Sequence, residues 1–212
     1  MKKTVLAVPK NCALGEMEAL LGRAGIAIEP RGCGCPRQLR LATSHPELEI
    51  VLVRNWDTVT LAELGAADLA VVGSDVLSEH GSDGVVPLLD LNTGRCRLSV
   101  AAPAHADLSG ALRPGGRVRV ATSYPTVTRR HFRQRGMEAE CIVLQGSVEV
   151  APSLGLGDCV VDIVATGGTL RAHGLVEVEC IAEVSARLVS SPSFPPAQAE
   201  RWADFFRAAV TA

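Results

Sequence analysis

Aromatic residues make up only 3% of this 212-residue chain: four Phe, two Trp and one Tyr. A core so poor in rings must be built from Val, Leu, Ile and Ala, the composition of buried strands in α/β sheets. Single-strand nucleic-acid platforms, which stack bases on aromatic rings, are excluded. Excess positive charge is also lacking. Lys and Arg number 21 against 23 Asp and Glu, a net charge of -2, so there is no basic footprint for DNA or RNA. No apolar run approaches the roughly 18 residues of a membrane helix. The run 4–8, behind Met1-Lys2-Lys3, is shorter than the about 7–15 residues of a secretory h-region. The chain is therefore expected in the cytoplasm, with no membrane and no nucleic acid as partner. Walker A and G-x-S-x-G motifs are missing, which removes P-loop and covalent-hydrolase readings. His45, His80, His105, His131 and His173 show no metal-ligand spacing.

What is present is a globular composition, 47% hydrophobic and 21% charged, long enough for one large or two small cores. Seven scattered cysteines in a chain without a secretory signal read as reduced thiols. Cys33-Gly34-Cys35 is their one close pair, and C-x-C alone is a poor zinc signal.

Apolar runs predict strands at 4–8, 49–54, 68–73, 85–91, 97–101, 117–121, 140–144, 159–164 and a long 176–189. Helical spacing predicts helices at 15–24, 58–64, 126–135, 148–154, 169–173 and 197–210. The last begins after Pro195-Pro196 and carries Ala199, Trp202, Phe205, Phe206 and Ala209 at helical spacing. Alternation of strand and helix predicts a mainly parallel sheet with helices on its faces. The stretch 103–116, rich in Pro, Gly, Ala and Asp, divides two α/β blocks. Two small α/β lobes with a cleft are expected, 1–92 plus 178–212 and 93–177, the long run returning the chain to the first.

Four segments can carry chemistry. Strand 159–164 runs into Thr166-Gly167-Gly168-Thr169-Leu170. Two glycines admit an anion close to the backbone, and successive N–H groups at a helix start favour a phosphate. Asp162 lies four residues earlier, placed for sugar hydroxyls or a bound Mg2+ ion. The plain alternative is a tight turn capped by Thr169. In Gly146-Ser147-Val148-Glu149, Ser147 is either a helix cap or, with Glu149, a polar edge of the cleft. Gly73-Ser74-Asp75 and Glu79 follow a Val-rich strand, where open α/β sheets bind ligands; Asp75 is a site carboxylate or a cap. Thr122-Ser123-Tyr124-Pro125 ends another strand, and Arg129 or Arg130 is a phosphate ligand or a solvated helix face. Weaker candidates are Lys10, Arg37, Arg40, Arg54 and Asp57.

The order Pro9-Lys10, Arg37, Arg54-x-x-Asp57, Gly73-x-Asp75-x-Leu77-x-Glu79, Cys96-Arg97-Leu98, Ala121-Thr122-x-Tyr124-Pro125-x-x-Thr128-Arg129, Gly146-Ser147-x-Glu149-x-Ala151-Pro152 and Asp158-x-x-x-Asp162-x-x-x-Thr166-Gly-x-Thr169-Leu170 resembles ATP phosphoribosyltransferase, the first enzyme of histidine biosynthesis. The resemblance implies two α/β lobes of the type II periplasmic-binding-protein kind and transfer of a 5-phosphoribosyl group to N1 of ATP with release of diphosphate. It implies phosphoribosyl diphosphate at Asp158 and at Asp162 to Leu170. ATP and diphosphate would meet Lys10, Arg54, Asp75, Glu149, Thr122, Tyr124 and Arg129. Asp162, Arg54 and Glu149 would act in catalysis, with Mg2+ neutralising the departing diphosphate. A chain ending after one helix looks like the short form, whose homo-dimer core joins a histidyl-tRNA-synthetase-like regulatory subunit in a hetero-octamer. The chain departs from the family at Asn11-Cys12, where Gly-Arg is usual, and at Ser123, where lysine is common; Arg31 and Arg37 are the nearby cations. The alternative is a non-catalytic cytosolic paralogue that binds a nucleotide or phosphosugar.

Overall fold

The computed structural model describes residues 3–10, 13–29, 38–106 and 113–211. Asn11, Cys12, Arg31, Cys33, Cys35 and Arg37 lie outside them. The chain divides into two compact units, 1–94 with 185–212, and 95–184.

In the first unit, β1 (Thr4–Pro9), β2 (Arg40–Ala42), β3 (Leu48–Val53), β4 (Leu69–Gly73), β5 (Val86–Asp90) and β11 (Ala186–Ser190) form one sheet in the order β2-β3-β1-β4-β11-β5. Alternation of side chains sorts its residues between two cores. Leu6, Val8, Leu69, Val71 and Leu188 share one with Leu20 and Leu21 of α1 (Ala13–Arg23) and Trp202 and Phe206 of α6 (Pro196–Thr211). Ala7, Ala70, Val72 and Val189 share the other with Val59 and Ala62 of α2 (Asn55–Glu63) and Val76 of α3 (Ser74–His80). Leu6, Leu69, Leu188 and Phe206 are wholly buried, each contributing about 1.5–3 kcal/mol. Small residues on the second face let α2 and α3 approach closely.

In the second unit, β6 (Cys96–Pro103), β7 (Arg117–Thr122), β8 (Glu138–Val143), β9 (Cys159–Val164) and β10 (Leu175–Val184) take the order β10-β6-β9-β7-β8. Val127 and Phe132, on α4 (Pro125–Gln134), are buried. Pro125 opens that helix, where its fixed φ and missing N–H cost nothing. The core of the sheet's opposite face joins Ala101, Ala121, Val160 and Val164 to Ala151, Leu170 and Leu175; Leu170 belongs to α5 (Gly168–Ala172).

Several expectations are corrected. The sheets are mixed: β1–β3, β1–β4, β7–β8 and β7–β9 pair parallel, while β2, β5, β6, β10 and β11 enter antiparallel pairs. The run 176–189 is two strands broken at Ser185, whose N–H donates to Ser74 Oγ at 3.2 Å and whose hydroxyl donates to Asp90 at 3.2 Å; the contact division between units falls there. The segment 148–154 is two 3-10 turns, Val148–Val150 and Pro152–Leu154, because Pro152 lacks the N–H that a continuous α-helix needs. Helix α3 and strand β2 were not anticipated.

Candidate active site

Strands β7, β8 and β9 run parallel, so the turns after them share the carboxyl edge of the second sheet, where α/β folds bind ligands. Ser123, after β7, donates to the Leu144 carbonyl, after β8, at 2.6 Å and ties two of these turns together. At the end of β9 a pocket of about 360 Å³ opens, lined by Ser147, Val148, Glu149, Val160 and the continuous stretch 162–170. Period-two alternation places Asp162 on the face of Val160 and Val164, which is the pocket face.

The loop is shaped for an anion. Gly167 has φ +71, a left-handed conformation that a side chain would strain, and an added Cβ would come within 3.1 Å of the Arg171 guanidinium. Arg171 donates to the Thr166 carbonyl at 3.1 Å. In a trans peptide the carbonyl and the following N–H point opposite ways, so this bond orients the Gly167 N–H away from Arg171. Among the described residues, no acceptor meets the N–H groups of Gly167, Gly168 or Thr169. Thr166 and Thr169 are exposed. Leu170, 8% exposed, anchors the loop in the core.

The structure thus brings together Glu149, Asp162, Thr166, Gly167, Gly168, Thr169 and Leu170. Asp158 is elsewhere. It precedes β9 at the end away from the loop, accepts from the Arg119 N–H at 2.8 Å and lies 3.5 Å from the Arg119 guanidinium. Thr122 is wholly buried; its hydroxyl donates to the Val161 carbonyl at 2.8 Å and accepts from the Tyr124 N–H at 2.8 Å. Tyr124 is buried and Arg129 is exposed on α4. In the first unit, Lys10, Arg54 and Asp75 follow the carboxyl ends of the adjacent strands β1, β3 and β4. Lys10 and Arg54 are exposed, whereas Asp75 is buried and lies against Gly73.

Sequence reasoning missed a polar cluster beside Asp162. Ser99 is the β6 partner of Asp162 across the strand pair, and partners in a sheet point to the same face. Its buried hydroxyl donates to Glu177 at 2.8 Å, and Arg97 donates to both oxygens of Glu177 at 3.0 and 2.9 Å. Arg97 first, then Ser99, hold the Glu177 carboxyl below the usual range. Nothing local in the sequence pairs residues 80 positions apart.

On α4, burial pushes the His131 imidazole down to about 4, with the Arg135 charge adding to it. The neutral ring then donates from Nε2 to Glu179 at 3.2 Å and accepts at Nδ1 from Arg135 at 3.2 Å. Burial also pushes the Cys159 thiol up to about 12, so it is inert packing. No group of three His, Cys, Asp or Glu residues among the described residues forms a metal cage. No described helix is long and apolar enough to cross a membrane.

Comparison with known proteins agrees with the resemblance. A family model described as ATP phosphoribosyltransferase matches residues 54–208. An ATP phosphoribosyltransferase of Paramagnetospirillum magneticum (strain AMB-1) is 44% identical over 211 residues, 98% of this chain and 96% of that protein. The solved ATP phosphoribosyl transferase HisG:HisZ complex from Thermotoga maritima superposes with TM-score 0.78 at 26% identity, over 98% of each chain. The Bordetella pertussis BvgS periplasmic VFT2 domain, 13% identical with TM-score 0.59 over 99% of this chain and 87% of that one, shares the fold alone.

Proposed function

The chain belongs to the ATP phosphoribosyltransferase family, and from that premise we propose that the pocket at the end of β9 receives the phosphoribosyl group of phosphoribosyl diphosphate. The protein transfers this group to N1 of ATP, releases diphosphate, and so begins histidine biosynthesis. One observation carries the site assignment: Asp162, Glu149 and the unmet amides of Gly167, Gly168 and Thr169 border a single pocket. Those amides, with the Thr166 and Thr169 hydroxyls, suit the 5-phosphate, because fixed N–H dipoles hold an anion without reorganising. Asp162 accepts from the ribose hydroxyls and orients the ring. Attack by adenine N1 on ribose C1 forms the N–C bond as the C1–O bond to diphosphate breaks, and positive charge builds at C1. Rate enhancement then comes from alignment and electrostatics rather than from a protein nucleophile.

A metal ion belongs to this chemistry, and Mg2+ suits the residues present. Mg2+ prefers one or two carboxylates plus phosphates and water over an all-protein cage, and Glu149 and Asp162 supply hard oxygen donors in the pocket. When bound it would neutralise diphosphate charge. Lys10, Arg54 and Arg129 remain our candidates for ATP and diphosphate, and Asp75 and Tyr124 for the nucleoside. Thr122 and Asp158 act through the fold: Thr122 fixes the turn before α4, and Asp158 secures the start of β9. A regulatory partner of the HisZ kind, like that in the Thermotoga maritima complex, and a cytoplasmic location fit this role. The test is formation of phosphoribosyl-ATP from ATP and phosphoribosyl diphosphate, together with titration of phosphoribosyl diphosphate against Thr169→Ala. Weaker binding by the variant is expected; unchanged binding refutes the loop assignment.

A further inference from the structure

Two residues other than glycine have positive φ among the described residues, Asn92 and Ser147. Asparagine tolerates that region through local hydrogen bonding; serine gains no such help. Ser147 holds φ 50 and ψ 39, directly after Gly146 at φ 152. A glycine at 147 would adopt this conformation without the Cβ clash. The serine hydroxyl does not cap the 3-10 turn it precedes, and no partner for it occurs among the described residues. It lines the pocket instead, alongside Glu149, Asp162 and the loop 166–169. An outlier backbone with an uncommitted side chain at a pocket wall is the pattern from which function is properly inferred.

We propose that Ser147 is a substrate-binding residue whose hydroxyl donates to a ribose hydroxyl of the bound phosphoribosyl group, an inference that rests on the pocket reading above. The chemistry of the wall calls for such a donor. A sugar hydroxyl offers one proton and two lone pairs, whereas ionised carboxylates only accept. Glu149 and Asp162 can take the protons of the sugar, but they leave its lone pairs unmet. Ser147 supplies an O–H toward them, and the left-handed backbone holds it at the pocket.

The experiment titrates phosphoribosyl diphosphate, and inorganic diphosphate as the sugar-free comparison, into the full-length chain and its Ser147→Gly and Ser147→Ala variants, with thermal unfolding alongside. Ser147→Gly should melt at or above the wild-type temperature, since the strained conformation suits glycine. Both variants should bind phosphoribosyl diphosphate about three- to tenfold more weakly, the scale of one neutral hydrogen bond, with diphosphate affinity unchanged. Wild-type affinity in either variant overturns the proposal. An equal loss for both ligands also overturns it, because the contact would then be to phosphate. If Thr169→Ala weakens binding while the Ser147 variants do not, this inference alone fails. If the wild-type chain binds no phosphoribosyl diphosphate, the pocket reading fails with it.

Discussion

Arg97 on β6 and Glu177 on β10 form a two-pronged ion pair, with both guanidinium-to-carboxylate contacts at 3.0 Å or less, on the sheet face that carries Asp162. The pairing neutralises the Glu177 carboxylate on the face where we propose that the anionic phosphoribosyl group binds.

Removing Arg97 alone therefore does two things. Arg97→Ala should lower stability only slightly, since the pair is partly exposed and screened by solvent. It should also raise KM for phosphoribosyl diphosphate by leaving the Glu177 charge uncompensated. Adding Glu177→Gln to the same chain should recover most of the lost KM. Steady-state kinetics on the two variants check this, and no recovery would locate the effect in packing.

Asp162→Asn keeps the shape of the β9 side chain and removes its charge. Turnover should fall about ten- to a hundredfold, the scale on which misalignment costs rate, while the urea midpoint stays near wild type. Full activity in the variant removes the ribose-orienting role.

His131 makes stability pH-dependent. Its native pKa of about 4 lies below the ordinary 6.5, so between those values the unfolded chain binds a proton that the native state refuses. The contribution is complete above about pH 6.5 and is lost as pH falls toward 4. It amounts to no more than about 3 kcal/mol. Glu179 and Arg135 face the ring, and Glu179 is itself paired with Arg135. Urea unfolding at pH 7.5 and 5 should show the loss, and His131→Gln, which stays neutral, should flatten it.

Gly73→Ala should cost about 1–3 kcal/mol. A Cβ there would collide with Asp75 Oδ1, and Asp75 is buried, with little room to move. The substitution should also weaken ATP binding if Asp75 serves the nucleoside, which a nucleotide titration reads separately from the unfolding midpoint.

Periodicity and breakers along the chain were enough for most elements: strands such as β1, β4, β7 and β9 and helices such as α4 and α6 carry their signals in neighbouring residues. The glycine loop 166–170 was legible for the same reason, since its glycines, its threonines and Asp162 lie within one short segment. Element direction was not, because whether β6 or β11 pairs parallel depends on where a distant strand lies. Helix α3 showed only as a possible cap at Asp75, because Ser74, Asp75, Ser78 and Glu79 leave just Val76 and Leu77 as apolar residues in its seven positions, too few for a helical period to stand out.

The sequence by itself determined the composition of the core, the alternation of strand and helix, and the local chemistry of residues 162–170. Tertiary structure alone decided that Ser147 and Glu149 join that loop at one pocket, that Thr122 is buried against Val161 while Asp158 pairs with Arg119 at the far end of β9, and that Arg97 and Glu177 meet beside Asp162. The physical reason is range: backbone preference and hydrophobic period act over a few residues, whereas charge pairing and pocket formation require segments that only folding brings within a few ångströms.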